Sequence, residues 1–207
     1  MAMFKASLSR SVLITLLAGL LVFSLVVVGT LMFKTVLSAQ GRNDENVGGP
    51  IELVSTRGDF SLTDLGDHQV AVVTFGYTYC PDVCPMNQAV KKQALLELTE
   101  EERERVVPLM ISVDPERDSL ERLQEYTAFF GESFIGATGS QQQLEELADR
   151  YGVIWRRVEA ENSAMGYTID HSASLYLVNR EGNIIQQVLY SSSPEGLVNA
   201  IKDFFNS

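Results

Sequence analysis

The hydrophobic pattern divides the chain into an apolar run, a polar stretch and a longer region of alternating short strands and helices. From Ser11 through Phe33 the run SVLITLLAGLLVFSLVVVGTLMF carries no charge. At ~1.5 Å per residue it reaches about 35 Å, enough to cross a bilayer's hydrocarbon core, and it predicts one transmembrane helix. A cleaved signal peptide would have a shorter apolar region and a small-residue cleavage site after it, so an uncleaved anchor is the reading adopted. Residues Val36 to Gly49 are polar, lack periodicity and run into Gly48-Gly49-Pro50, the composition of a flexible tether. The organisation read from this pattern is 1–34 stub and anchor, 35–49 tether and 50–207 folded domain.

Within that domain, Ile51–Leu53 and Phe60–Leu62 flank Thr56-Arg57-Gly58-Asp59 and predict a short β-hairpin. Val70 to Phe75 is a continuous, mostly β-branched run typical of a central strand buried on both faces. Met86, Val90, Ala94, Leu95 and Leu98 then recur at helical spacing, up to a charged turn over Glu100 to Arg105. Val106–Val113 reads as a second buried strand. Asp118-Ser119-Leu120-Glu121 has a capping-box arrangement that starts a helix through Phe130. Ser140 can cap a third helix carrying Leu144, Leu147, Ala148 and Tyr151 on one face. Strands follow at Val153–Val158, Ser174–Val178 and Ile184–Leu189, and Ser193-Pro194 opens a last helix. Strands alternating with helices, then a hairpin plus helix, predict an α/β thioredoxin-like sandwich with a short N-terminal hairpin.

Charge narrows the class of partner. All 27 acidic residues follow position 43, and 13 basic residues accompany them, so residues 35–207 carry a formal charge of −14. Such a surface excludes nucleic acid and suits cations or a basic patch on a partner. Lys5 and Arg10 on one side of the apolar run, against Lys34 on the other, keep the N-terminus cytoplasmic and put the domain outside.

The chemistry centres on the only two cysteines, Cys80 and Cys84, directly behind the Val70–Phe75 strand. A bridge between them closes too small a loop to stabilise much, so the pair is there for chemistry. With Pro81 opening a helix, both thiols fall about one turn apart on one face, and the N-terminal N–H groups lower the pKa of at least one. They can close a disulfide or share a metal, and two soft thiolates favour Cu(I) while also suiting Zn(II). Only two histidines can add a ligand. His68 lies in a polar turn and reads as a surface residue. His171 precedes the strand that, in a thioredoxin-like fold, lies against the cysteine loop, so it can close a Cys-Cys-His site with Asp170 orienting its ring. The C-x-x-x-C spacing, and the absence of proline between Pro115 and Pro194 where thioredoxin-type oxidoreductases place one, weaken a generic oxidoreductase reading.

Four motifs occur in order: Gly76-Tyr77-Thr78-Tyr79-Cys80-Pro81-Asp82-Val83-Cys84-Pro85, Ser112-Val113-Asp114-Pro115-Glu116-Arg117-Asp118, Gly136-Ala137-Thr138-Gly139 and Asp170-His171-Ser172-Ala173. With them, residues 50–205 resemble the Sco/SenC family of membrane-anchored copper-binding thioredoxin-fold proteins. Where that family often has histidine or another aromatic, this chain has Tyr79, which leaves the ligand set intact. The resemblance implies a copper site, Cu(I) or Cu(II), made by Cys80, Cys84 and His171. It also implies delivery of copper to the dinuclear copper centre of cytochrome c oxidase subunit II or a related copper protein, or reduction of that partner's cysteines by Cys80 and Cys84 with a thioredoxin-like reductant upstream. Asp114 matches an acidic position used for partner contact or copper transfer, and equally fits a cap or turn before Pro115. A thiol peroxidase is disfavoured because Tyr77-Thr78-Tyr79 stands where its threonine and proline would be. The short lead before the span points to a bacterial inner membrane, single-pass, with the C-terminal domain in the periplasm.

Overall fold

A computed structural model of the chain describes residues 19–20, 23–25, 27–30, 48–159 and 166–206. The predicted span 11–33 and tether 35–49 lie mostly outside them. Among the described residues no helix is long and apolar enough to cross a membrane. Val47–Ser207 forms one compact unit.

Its centre is β3, Val70–Gly76, in which every residue is buried. It pairs in parallel with β4, Val106–Ser112, and antiparallel with β8, Leu175–Val178. The hairpin β1 (Glu52–Ser55) and β2 (Gly58–Ser61) joins the same sheet through β5 (Ile135–Thr138), and β9 (Ile184–Val188) closes the other edge. The seven strands run in the order β2-β1-β5-β4-β3-β8-β9. Two further strands, β6 (Trp155–Glu159) and β7 (Tyr167–His171), form a separate antiparallel ribbon.

Alternation along β3 feeds a core on each face. Ala71, Val73 and Phe75 pack with Leu144, Leu147 and Tyr151 of α4 (Gln141–Arg150) and its C-terminal cap, together with Trp155, Tyr167 and Ile169 of the ribbon. Val70 and Val72 pack on the opposite face with α1 (Val83–Glu97) and α5 (Glu195–Phe205), through residues such as Val90, Ala94, Leu197 and Ile201. Each fully buried Val or Leu contributes about 1.5–3 kcal/mol, which makes β3 the strand the fold can least lose. Phe130 and Phe134, beyond α3 (Leu120–Ala128), extend the second core.

Several boundaries differ from expectation. The charged stretch after α1 is a short helix, α2 (Glu100–Glu104), because Thr99 and Glu102 close a capping box. Ser119, not Asp118, caps α3. The ribbon strand β7 and the sheet strand β5 were not expected at all. β5 is short and half of it is small residues; at Gly136 a Cβ would come within 2.9 Å of the Leu123 Cβ, so α3 lies close against it.

Candidate metal centre

β3 ends at Gly76, and the loop Tyr77 to Asp82 carries the chain into α1. The helix starts at Val83, two residues later than Pro81 implies, so Pro85 and Cys84 lie in its first turn while Cys80 sits in the loop. Cys84 is 2% exposed and Cys80 half-buried, and both thiols are free. Gly76 is what allows Cys84 so close to the strand: a Cβ there would lie 2.6 Å from the Cys84 sulfur and 3.6 Å from His171 Cε1. The space of the missing side chain belongs to the thiol and the imidazole.

The loop is braced by a buried carboxylate. Asp118 accepts from the Thr78 amide at 2.9 Å, the Thr78 hydroxyl at 2.6 Å and the Ser112 hydroxyl at 2.6 Å. Three donors from two segments thus converge on one anion, joining the end of β4 to the cysteine loop. Read from sequence as a helix cap, Asp118 is instead this anchor.

His171 arrives on the ribbon, at the end of β7, opposite Trp155 of β6. The Tyr77 hydroxyl accepts from the Ile169 amide at 3.2 Å, and the Tyr77 ring meets the imidazole edge-on with centroids 6.0 Å apart. Asn87 of α1 donates to the Ala173 carbonyl at 3.0 Å, fastening the chain just beyond the histidine. Nδ1 of His171 lies 3.0 Å from the Ser172 carbonyl. A carbonyl can only accept, so Nδ1 carries a proton, and Nε2 is the ring atom that faces Cys84, whose sulfur is 3.1 Å away. The donor atoms of Cys80, Cys84 and His171 all lie within 4.8 Å of one another.

Asp170 and Asp114 take other places than a metal site would give them. Strand alternation turns Asp170 away from His171, and its carboxylate meets Arg156 at 3.2 Å in an exposed pair. The ring is therefore oriented by the Ser172 carbonyl and not by Asp170. Asp114 is 2% exposed; it accepts from Arg117 Nε at 2.5 Å and from the Tyr167 hydroxyl at 2.7 Å, and its carbonyl takes the amides of Arg117 and Asp118. This is the turn role before Pro115, and it holds the Arg117 guanidinium 3.5 Å above the Tyr167 ring and 5.1 Å from that of Tyr79. His68 is exposed at the far end of β3, as expected. Gly76 and Asn87 are supporting residues whose roles the sequence does not show, and Asp118 is read there only as a cap; the glycine stands within the quoted motif, but nothing local shows that a sulfur fills its side-chain space.

The two thiols are electrostatically unlike. Cys80 is held far below the usual thiol range, first by the hydrogen bond from Cys84 and then by bonds from His171 and the backbone of Asp82 and Cys84, against the opposing effect of burial. Cys84 is pushed up by its bond to Cys80 and by burial. The pair thus shares one proton, kept on the buried sulfur. Two soft sulfurs and one imidazole whose Nε2 faces them are a donor set suited to Cu(I), and acceptable to Zn(II).

Comparison with known proteins agrees with this arrangement. The family model SCO1/SenC matches residues 39–206. A SCO2-like protein of Rickettsia prowazekii is 31% identical over 157 residues, covering 76% of each chain. Among solved structures, Arabidopsis thaliana ScoI with copper bound superposes with a TM-score of 0.68 at 30% identity, covering 77% of this chain and 98% of that one. Yeast Sco1 with copper bound gives 0.67 at 28%, covering 79% and 90%. With the same mixed α/β thioredoxin-like fold and a family model spanning most of its length, the chain belongs to the SCO1/SenC family.

Proposed function

We propose that this protein is a membrane-anchored copper chaperone that binds one copper ion through Cys80, Cys84 and His171 and assists assembly of the dinuclear copper centre of cytochrome c oxidase. The observation that carries the reading is the convergence of two cysteine sulfurs and an imidazole nitrogen within 4.8 Å of one another, with Nδ1 engaged by a carbonyl and Nε2 facing Cys84. Copper supplies the soft cation that such a set prefers. The chain's residues do the rest: Gly76 leaves room, Asp118 fixes the loop and the Ser172 carbonyl holds the imidazole by Nδ1. The partner is subunit II or a related copper protein, for which the acidic surface offers complementarity to a basic patch. The apolar run 11–33 supports anchorage in a bacterial inner membrane, with the domain in the periplasm. Anaerobic titration of the reduced chain with Cu(I) is expected to give one tightly bound ion. His171→Ala should weaken it by more than the roughly 10–100-fold typical of losing a ligand's outer hydrogen-bond partner. An unchanged affinity would remove His171 from the ligand set.

A second reading, thiol–disulfide reductase of the same partner, is favoured by the asymmetry of the thiols. The half-exposed Cys80 thiolate would attack a partner disulfide and release one partner thiolate; Cys84 would then attack Cys80, free the second partner thiol and leave a Cys80–Cys84 disulfide. Two electrons pass to the partner, and a thioredoxin-like reductant would restore the dithiol. Turnover on an oxidised partner peptide that survives His171→Ala would favour this reading over copper transfer.

A further inference from the structure

Lys91 is 1% exposed, on the inner face of α1. It follows Cys84 by seven residues, two helical turns, and so lies on the same face. Its Nζ donates to the Thr74 hydroxyl of β3 at 2.8 Å and to the Leu109 carbonyl of β4 at 2.8 Å. The Thr74 hydroxyl also takes the Gln88 amide at 3.1 Å. Every one of these partners is neutral, and among the described residues no carboxylate pairs with Lys91. A fully buried lysine without an anion is costly for a fold, and a shorter apolar side chain would fill the same core more cheaply.

The anion it lacks lies one register step away. Thr74 and Gly76 point to the same face of β3, about 7 Å apart along the strand, and the Cys84 sulfur occupies the side-chain space of Gly76. Burial pushes the Lys91 pKa well down, and the one ionisable group that draws it back up is Cys84. Of the charges around the cysteine loop, Asp118 is itself an anion that acts against ionisation of Cys84, Arg117 is bound to Asp114, and Arg122 is bound to the Thr78 hydroxyl and lies over the Tyr79 ring. Two thiolates around Cu(I) leave a net negative charge in a largely enclosed place.

We propose that Lys91 is the internal counter-charge of the loaded site, its ammonium balancing the Cys84 thiolate when both cysteines hold Cu(I). The inference rests on the copper reading given above. It makes Lys91 a positioning residue that touches no metal, stabilising one charge state of Cys84 through the core.

The test is Cu(I) affinity of the reduced full-length chain, measured by competition with a chromophoric chelator, for wild type, Lys91→Met and Lys91→Gln, alongside thermal unfolding of each metal-free chain. Both variants are expected to lose at least about tenfold in affinity. The metal-free Lys91→Met chain should unfold no earlier than wild type, since it no longer buries an amine. A merely structural lysine would give the reverse, an earlier transition with unaltered affinity. Should Met prevent folding, Gln retains a donor for Thr74 and Leu109 without the charge. Wild-type affinity in both variants, or affinity restored by Gln, overturns the inference alone; a wild-type chain that takes up no Cu(I) overturns the copper reading and this inference with it.

Discussion

Helices α1 and α4 begin on opposite faces of the sheet, and their first turns are satisfied in opposite ways. At α4 the Ser140 hydroxyl accepts from the Gln143 amide at 3.3 Å, and the Gln143 side chain accepts from the Ser140 amide at 2.9 Å. At α1 the N-cap residue Asp82 makes no capping bond with its side chain; the backbone N–H groups of Asp82 and Cys84 turn instead to the Cys80 sulfur. One start stabilises a helix and the other stabilises a thiolate. The same orphan donors serve both ends, and what stands in front of them decides between stability and chemistry.

The largest contrast to break is between the two thiols. In the reduced, metal-free chain, alkylation mapped by mass spectrometry should label Cys80 and spare Cys84. An ordinary thiol gains about tenfold in rate per pH unit below its pKa of ~8.5. Because the Cys80 pKa is lowered below the assay range, its thiolate is already formed at low pH, so its rate should stay nearly flat between pH 5 and 8. A steep rise at Cys80, or prior labelling of Cys84, would undo the asymmetry.

A smaller effect is expected at Gly76→Ala. The new Cβ would meet the Cys84 sulfur at 2.6 Å, so the thiol must move. Overpacking of this kind costs about 1–3 kcal/mol, and Cu(I) affinity should fall with it. Stability and affinity both at wild-type levels would mean the strand end yields without moving the sulfur. The smallest effect belongs to the other helix: Ser140→Ala should cost about 1 kcal/mol in chemical denaturation and leave Cu(I) affinity unchanged. Weaker copper binding in that variant would mean the two helix starts are coupled.

Much of this was legible in the chain. The continuous, mostly β-branched run of β3, the periodic face of α5 and the Ser140 cap are local signals, and the structure contains each of them; α1 buries Val90, Ala94 and Leu95 of its expected face but leaves Met86 exposed. The pairing of Cys80 and Cys84 with His171 needed the fold as an intermediate, because 87 residues separate Cys84 from the histidine. What escaped was set by tertiary contact. Tyr167 and Ile169 alternate inward as a strand should, but the segment is too short to stand out until β6 pairs with it. Lys91 looks like a surface charge on an amphipathic helix, and only the two neutral acceptors at 2.8 Å show it to be buried. The Ser172 carbonyl that orients the imidazole is backbone, which no side-chain pattern records, so the neighbouring Asp170 drew the assignment instead.

X-ray absorption at the copper edge of the Cu(I)-loaded full-length chain tests the central claim most directly. Two sulfurs and one nitrogen around each copper, with the nitrogen lost in His171→Ala, is the result predicted by the geometry of Cys80, Cys84 and His171. A copper held by sulfur alone, or a spectrum that His171→Ala leaves unaltered, would contradict it.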